Sequence, residues 1–286
     1  MALITSNEIL LKYIPNVVVS VSGENTLYEK ISSYITLAEE WVKNTFTSET
    51  TFNTICGYAD SNVIKTYTAK VVVCEAFMGA IPSLDVVLTP NGFGIVSNSN
   101  VAPASKERVT RLIDAMETER DRAIKLLLSS VVGASKWTSS AQFGYFTATM
   151  FPNIDICDYV GIKEHRWERY AELRMILSSI EEQIESEFIG KEQMDIFRKE
   201  ALSPSSTSSV MKAVVRSLRA CEVQMLRDRL SATAPITCTP PTALVDIVNI
   251  IRQNEDVFPS WHNSSVAELF TPTIYENAKG DKGYWF

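Results

Sequence analysis

SNVIKTYTAKVVVCEAFM, Ser61–Met78, aligns without a gap on SSVMKAVVRSLRACEVQM, Ser208–Met225. Ser61, Val63, Lys65, Cys74, Glu75 and Met78 match Ser208, Val210, Lys212, Cys221, Glu222 and Met225. Both stretches have helical periodicity. The long helices upstream align as well, Glu39, Glu40 and Phe46 against Glu181, Glu182 and Phe188, in a register that differs by five residues. The pattern predicts a mainly α protein in which a helix-pair unit occurs twice.

Working outward, apolar residues recur at helical spacing along most of the chain. Tyr28–Phe46 places Ile31, Ile35, Ala38 and Val42 on one face and Glu29, Lys30, Glu39 and Lys43 outside. Asn62–Ile81 is a second helix, stopped by Pro82. Lys106–Val131 carries Val109, Leu112, Ile113, Met116, Ala123, Ile124 and Leu127 on a rod about 39 Å long. Lys163–Phe188 follows, with Trp167, Tyr170, Leu173, Leu177, Ile180 and Ile184 as its stripe and Gly190 as its stop. Helices are then expected over Lys191–Leu202, over Val210–Leu230 after the loop Ser203–Ser209, and over Thr242–Asn254 after Pro240-Pro241.

Between the second and third helices, residues 84–109 read LDVVLTPNGFGIVSNSNVAPASKERV. Pro90, Asn91 and Gly92 supply turn chemistry, so Val86–Leu88 and Phe93–Val96 are expected to form a hairpin. Ser105 is placed to cap the long helix, with Glu107 in its first turn. The organisation expected is a helical domain over 1–132 with the hairpin at about 84–97, an aromatic-rich linker over 133–162, a second helical half over 163–257, and an extended C-terminal arm over 258–286.

Composition narrows the function classes. The chain has 286 residues, 45% of them hydrophobic and 21% charged, enough for one large domain or two small ones. No apolar run approaches the roughly 20 residues that cross a membrane, and the N-terminus lacks the basic region of a secretory signal. The net charge of -7 disfavours wrapping nucleic acid through phosphate contacts. Five cysteines (Cys56, Cys74, Cys157, Cys221 and Cys238), odd in number and without a CxxC pair, argue against a disulfide framework or zinc knuckle.

The chemistry-bearing residues do not assemble into a catalytic pattern. His165 and His262 are the only histidines, and neither has a metal spacing. His165 reads as a surface residue. His262 sits in PSWHNSS, yet no cysteine has a nucleophile's context with which to build a Cys–His–Asn set. Asn91-Gly92-Phe93-Gly94 holds a GxG without the strand–loop–helix surroundings of a nucleotide site. Adjacent acids such as Glu39-Glu40 and Glu181-Glu182 diverge by about 100° on a helix and read as solvated. The run Glu117–Arg122 alternates sign at spacings suited to ion pairs. No catalytic, cofactor-binding or metal residue is therefore assigned.

PNGFGIVSNSNVAPASKERVTRLI, flanked by its helices with Asp114 and Asp121, resembles a family of proteins from tailed phages of Bacteroidetes, crAss-like phages included. The likeness extends to Trp167 and Tyr170, the Val210–Leu230 helix and the aromatic terminus. The resemblance implies a head–tail connector, a neck-ring or adaptor subunit made of a multi-helix bundle, in a twelve-fold homo-oligomeric ring. It implies the portal protein and other neck or tail proteins as partners, a place in the virion neck after assembly in the bacterial host cytoplasm, and DNA passing through without sequence-specific binding; the acidic net charge predicts a lumen wall that repels this DNA. Membrane, cofactor and catalytic residues are not implied. On this reading Pro90, Asn91, Phe93 and Ile95 of the hairpin and Tyr275, Tyr284, Trp285 and Phe286 of the arm form the assembly interface. A helical ligand-binding protein or enzyme, with Trp137–Phe151 lining a pocket, is the alternative, and a cytoplasmic helical interaction module is a third.

Overall fold

The computed structural model describes residues 1–14, 23, 25–84, 86–89, 92–95, 105–231 and 242–271, with the backbone alone for 86–89 and 92–95. It is mainly helical and divides into two compact units, Met1–Glu172 and Leu173–Phe286.

The first unit begins with α1 (Asn7–Leu11), capped by Ser6. α2 (Leu27–Val42) opens on a reciprocal cap, in which Thr26 Oγ1 accepts from the Glu29 amide and Glu29 Oε2 accepts from the Thr26 amide. Its buried stripe is Ile31, Ile35, Ala38 and Val42. The helix then widens into a π-helical turn, Lys43–Thr47, closed by the Ser48 amide donating to the Lys43 carbonyl at 2.8 Å. Ser48 reverses the chain and caps α3 (Glu49–Cys56). α4 (Val63–Leu84) packs against both α2 and α5 (Lys106–Ser130). Between α4 and α5, β1 (Val86–Thr89) pairs antiparallel with β2 (Gly92–Ile95), Val86 opposite Ile95. Two single 3₁₀ turns, Val131–Gly133 and Trp137–Ser139, lead to α6 (Ala141–Phe146) and α7 (Ile156–Tyr159).

α8 (Arg166–Ile184) carries the chain into the second unit and ends in another π-helical turn, Glu185–Ile189. Here the Gly190 amide donates to the Glu185 carbonyl, again at 2.8 Å. α9 (Lys191–Leu202), α10 (Ser209–Leu230), α11 (Thr242–Arg252), α12 (Pro259–His262) and α13 (Ser265–Leu269) complete the unit.

The same seal closes both π turns. Trp137 Nε1 donates to the Phe46 carbonyl and Trp261 Nε1 to the Phe188 carbonyl, each at 2.8 Å. Ser140 Oγ donates to the Trp137 carbonyl and Ser264 Oγ to the Trp261 carbonyl, each at 2.6 Å. Those serines then cap α6 and α13. Phe46 lies against Phe146, and Phe188 against Phe270, with ring centroids 6.1 and 6.0 Å apart. Each carbonyl belongs to the last turn of a helix, where no backbone amide follows at the required spacing, and the indole supplies the donor.

Several elements differ from the sequence expectation. Pro82 lies within α4, which continues to Leu84, because the hydrogen bond a proline forfeits falls here in the final turn. Ser105 occupies the N-cap position of α5, but its side chain makes no capping bond. α4 is capped by Asn62, whose Oδ1 accepts from the Ile64 amide. Residues 133–162 are part of the first unit rather than a linker, with Trp137, Phe146, Met150 and Phe151 all buried. Nor does an arm start at Phe258. Phe258 and Trp261 are buried core of the second unit, which takes up the chain through α13. Pro90, Asn91, Tyr275, Tyr284, Trp285 and Phe286 lie outside the described residues.

Ser48 has φ 72° and ψ 157°, and Gly190 has φ 77° and ψ 150°, a region that only glycine enters without strain. At Gly190 an added Cβ would also stand 3.1 Å from Ser264 Cβ and Oγ. Gly190→Ala is therefore expected to lower stability by about 1–3 kcal/mol, measured by urea unfolding. A loss under a few tenths would show that the turn relaxes freely.

Candidate functional site

Two polar clusters are built into the helical cores. In the first unit, Arg120 of α5 is almost fully buried, which a guanidinium tolerates only with partners. Its Nη1 lies 3.1 Å from Glu75 Oε2 of α4, and its Nη2 lies 3.0 Å from Asp121 Oδ1 and 2.9 Å from Glu168 Oε1 of α8. Glu117 Oε1 is 3.6 Å away and also meets His165 Nδ1 at 2.8 Å. Asp121 Oδ2 accepts from the Arg166 amide at 3.1 Å, so a carboxylate faces the positive end of α8.

Burial works to lower the Arg120 pKa, but Asp121, Glu168 and Glu75 outweigh it and raise the value, keeping the guanidinium charged. Burial pushes the Asp121 carboxyl up, against the pull of Arg120. The hydrogen bond to Glu117 raises His165, which is itself exposed to solvent.

Glu117, His165 and Glu168 offer ligand atoms within 4.8 Å of one another. An imidazole and two carboxylates suit a transition-metal ion in type. Arg120, however, already holds both carboxylates, and a cation beside it would meet a fixed positive charge. The arrangement works as an ion-pair hub joining α4, α5 and the start of α8.

In the second unit, Arg198 of α9 donates from Nε to Glu181 Oε2 of α8 at 2.9 Å. Its Nη1 reaches Glu185 at 3.1 Å and Asp195 at 2.8 Å. Glu181 has no exposed surface, nor has Glu222 of α10. The position matching Glu181 in the first unit is Glu39, also buried, whose Oε1 accepts from the Leu3 and Ile4 amides at 2.7 and 3.1 Å. Neither Glu39 nor Glu181 is solvated, contrary to the sequence reading. Both are drawn into the core by donors far away in the chain.

Among the described residues, burial works against nucleophilic cysteines. Burial pushes the Cys74 thiol up to about 12 and the Cys157 thiol up to about 11, so neither is a thiolate near neutral pH. His262 turns Nε2 toward the Ile251 carbonyl at 3.3 Å and packs edge-on against Trp261.

Of the residues assigned to an assembly interface, Phe93 and Ile95 fall in β2, described by backbone only, and the other six are outside the described residues. Sequence reasoning missed Arg120 and Glu222 as core groups. The signal available was the recurrence of an acid at Glu75 and Glu222, and at Glu39 and Glu181, within otherwise apolar helical stripes.

The fold and its clusters define a helical protein whose two units share a Trp-sealed π-turn arrangement. Residues 15–147 match a family of unknown function, DUF6712. That span is somewhat less than half the chain and runs from before α2 through α6, so it contains one complete copy of the sealed turn. No curated protein and no solved structure matches the chain.

Proposed function

We propose that the protein is a structural virion component, a ring-forming head–tail connector that docks on the portal and passes DNA through its centre. The observation that carries this reading is the hairpin between α4 and α5. Its sheet has two strands, so each strand keeps an edge without a partner among the described residues. A two-stranded ribbon is marginal by itself and gains stability by adding a strand from another chain. The adjoining turns of α5 expose Lys106, Glu107, Arg108 and Arg111 and leave Val109, Leu112 and Ile113 half-covered, a mixed surface suited to a neighbouring copy.

A head-to-tail contact of this kind closes into a ring when its rotation closes. The net charge of -7 favours a lumen over which DNA slides. The buried ion-pair hubs support the same role, since they hold helices in fixed relation rather than opening to a ligand.

Replacing 86–95 by a short Gly/Ser linker is expected to leave the helical circular dichroism intact and abolish ring formation, read by electron microscopy of the chain mixed with portal. Rings formed normally by that variant, or phage particles lacking the chain, would overturn the proposal.

A further inference from the structure

We infer that Glu181 and Glu222 share one proton in the core of the second unit, and that loss of this proton loosens the unit as pH rises. Both residues are fully buried. Neither oxygen of Glu222 has a hydrogen-bond donor, although its side chain lies within bonding reach of Glu181. Two carboxylates cannot bond to each other, since both only accept. With one proton between them, Glu222 donates to Glu181, which gives one of its two orphaned oxygens a partner.

Two cations face Glu222 and favour its charged form, but burial and the Glu181 charge outweigh them. Glu181 comes from α8, Arg198 from α9, and Arg219 from α10 itself. Arg198 is committed to Glu181, Glu185 and Asp195, one guanidinium against three carboxylates. α11 presents Leu244, Ile247, Val248 and Ile251 to the core. The matching residue of the first unit, Glu75, is partly exposed and paired with Arg120. Burial first, and then the Glu181 charge, raise the Glu222 value well above that of an ordinary glutamate.

The direction follows from linkage. The folded state keeps a proton that the unfolded chain releases just above the ordinary glutamate range, so folded protein binds more protons and stability falls as pH rises. The decline begins above the ordinary glutamate range and ends above the raised value, where both states are ionised. This device is independent of the ring assignment.

The test uses the full chain and Glu222→Gln, which keeps the shape and removes the titration. Urea unfolding at a series of pH values, read by hydrogen exchange of α10 peptides pulse-labelled at one common pH, isolates the second unit. The wild-type unfolding constant is expected to rise about tenfold per pH unit across the window, and that of the variant to stay nearly flat. Infrared difference spectra should show a protonated carboxyl band above the ordinary glutamate range that is lost in the variant. Equal slopes in the two proteins would overturn the inference. Absence of the band from the wild type would do so even if the variant failed to fold.

Discussion

Replacing Trp261 by alanine is expected to cost the second unit about 3–5 kcal/mol, and Trp137→Ala to cost the first unit about the same. Both indoles are essentially without solvent exposure and are among the largest side chains in the core. Removing either leaves a cavity beside the phenylalanine whose carbonyl it bonds, Phe46 or Phe188. It also removes the donor to that residue's carbonyl, which is buried at the end of a π-helical turn. Tryptophan to phenylalanine separates the two losses. It keeps most of the apolar volume and leaves the carbonyl unpaired, for about 1–3 kcal/mol. Hydrogen exchange locates the effect. In Trp261→Ala, amides of α9, α13 and Glu185–Ile189 should lose protection while those of α2 and α3 keep theirs, and Trp137→Ala should reverse the pattern. An alanine variant that loses less than about 1 kcal/mol, or loses protection evenly along the chain, would show that the indole is not the seal.

The way these seals escape a reading of the sequence is physical. Hydrophobic stripes identify most long helices because burial on one face imposes the 3.6-residue period, and Lys191–Leu202 is placed to the residue. That period assumes a uniform helix, so the expected helix over Tyr28–Phe46 ran through a π turn that begins at Lys43. Gly190 announces its positive φ, whereas Ser48 adopts the same conformation with a Cβ and carries no signal. The tryptophans sit 91 residues from Phe46 in one unit and 73 from Phe188 in the other, so a gapless comparison cannot align them. Buried charge is harder still. Glu39 and Glu181 look like solvated helix positions, and only the Leu3 and Ile4 amides and the Arg198 guanidinium, contributed by other elements, reveal what each carboxylate is for. The alignment of Glu75 with Glu222 exposed the position but not its chemistry, because one has an arginine partner and the other a second glutamate.

Arg120→Leu should be as damaging as loss of a tryptophan, and its dependence on pH should identify the cause. Breaking a buried charge pair by removing one partner costs about 3–5 kcal/mol, because the charge left behind has been desolvated. Asp121 is that charge. It is 3% exposed, whereas the Glu75 and Glu168 side chains are 33% and 50% exposed and can be rescued by water, so they contribute little to the loss. Burial already raises the Asp121 carboxyl, with Arg120 restraining it. Without Arg120 the value climbs further, and the folded variant takes up a proton that the unfolded chain does not hold. The folded state then binds more protons, so the variant's stability rises as pH falls toward the ordinary aspartate range. The deficit relative to wild type should be largest near neutral pH and should narrow in mild acid. Adding Asp121→Asn to Arg120→Leu removes the stranded charge and should recover part of the loss at neutral pH, where the single variant is weakest. Urea unfolding of the three proteins at neutral and mildly acidic pH measures each quantity. A deficit that does not change with pH, or a double variant no more stable than Arg120→Leu, would mean that Arg120 acts through packing of its alkyl chain rather than as the hub's neutralising charge.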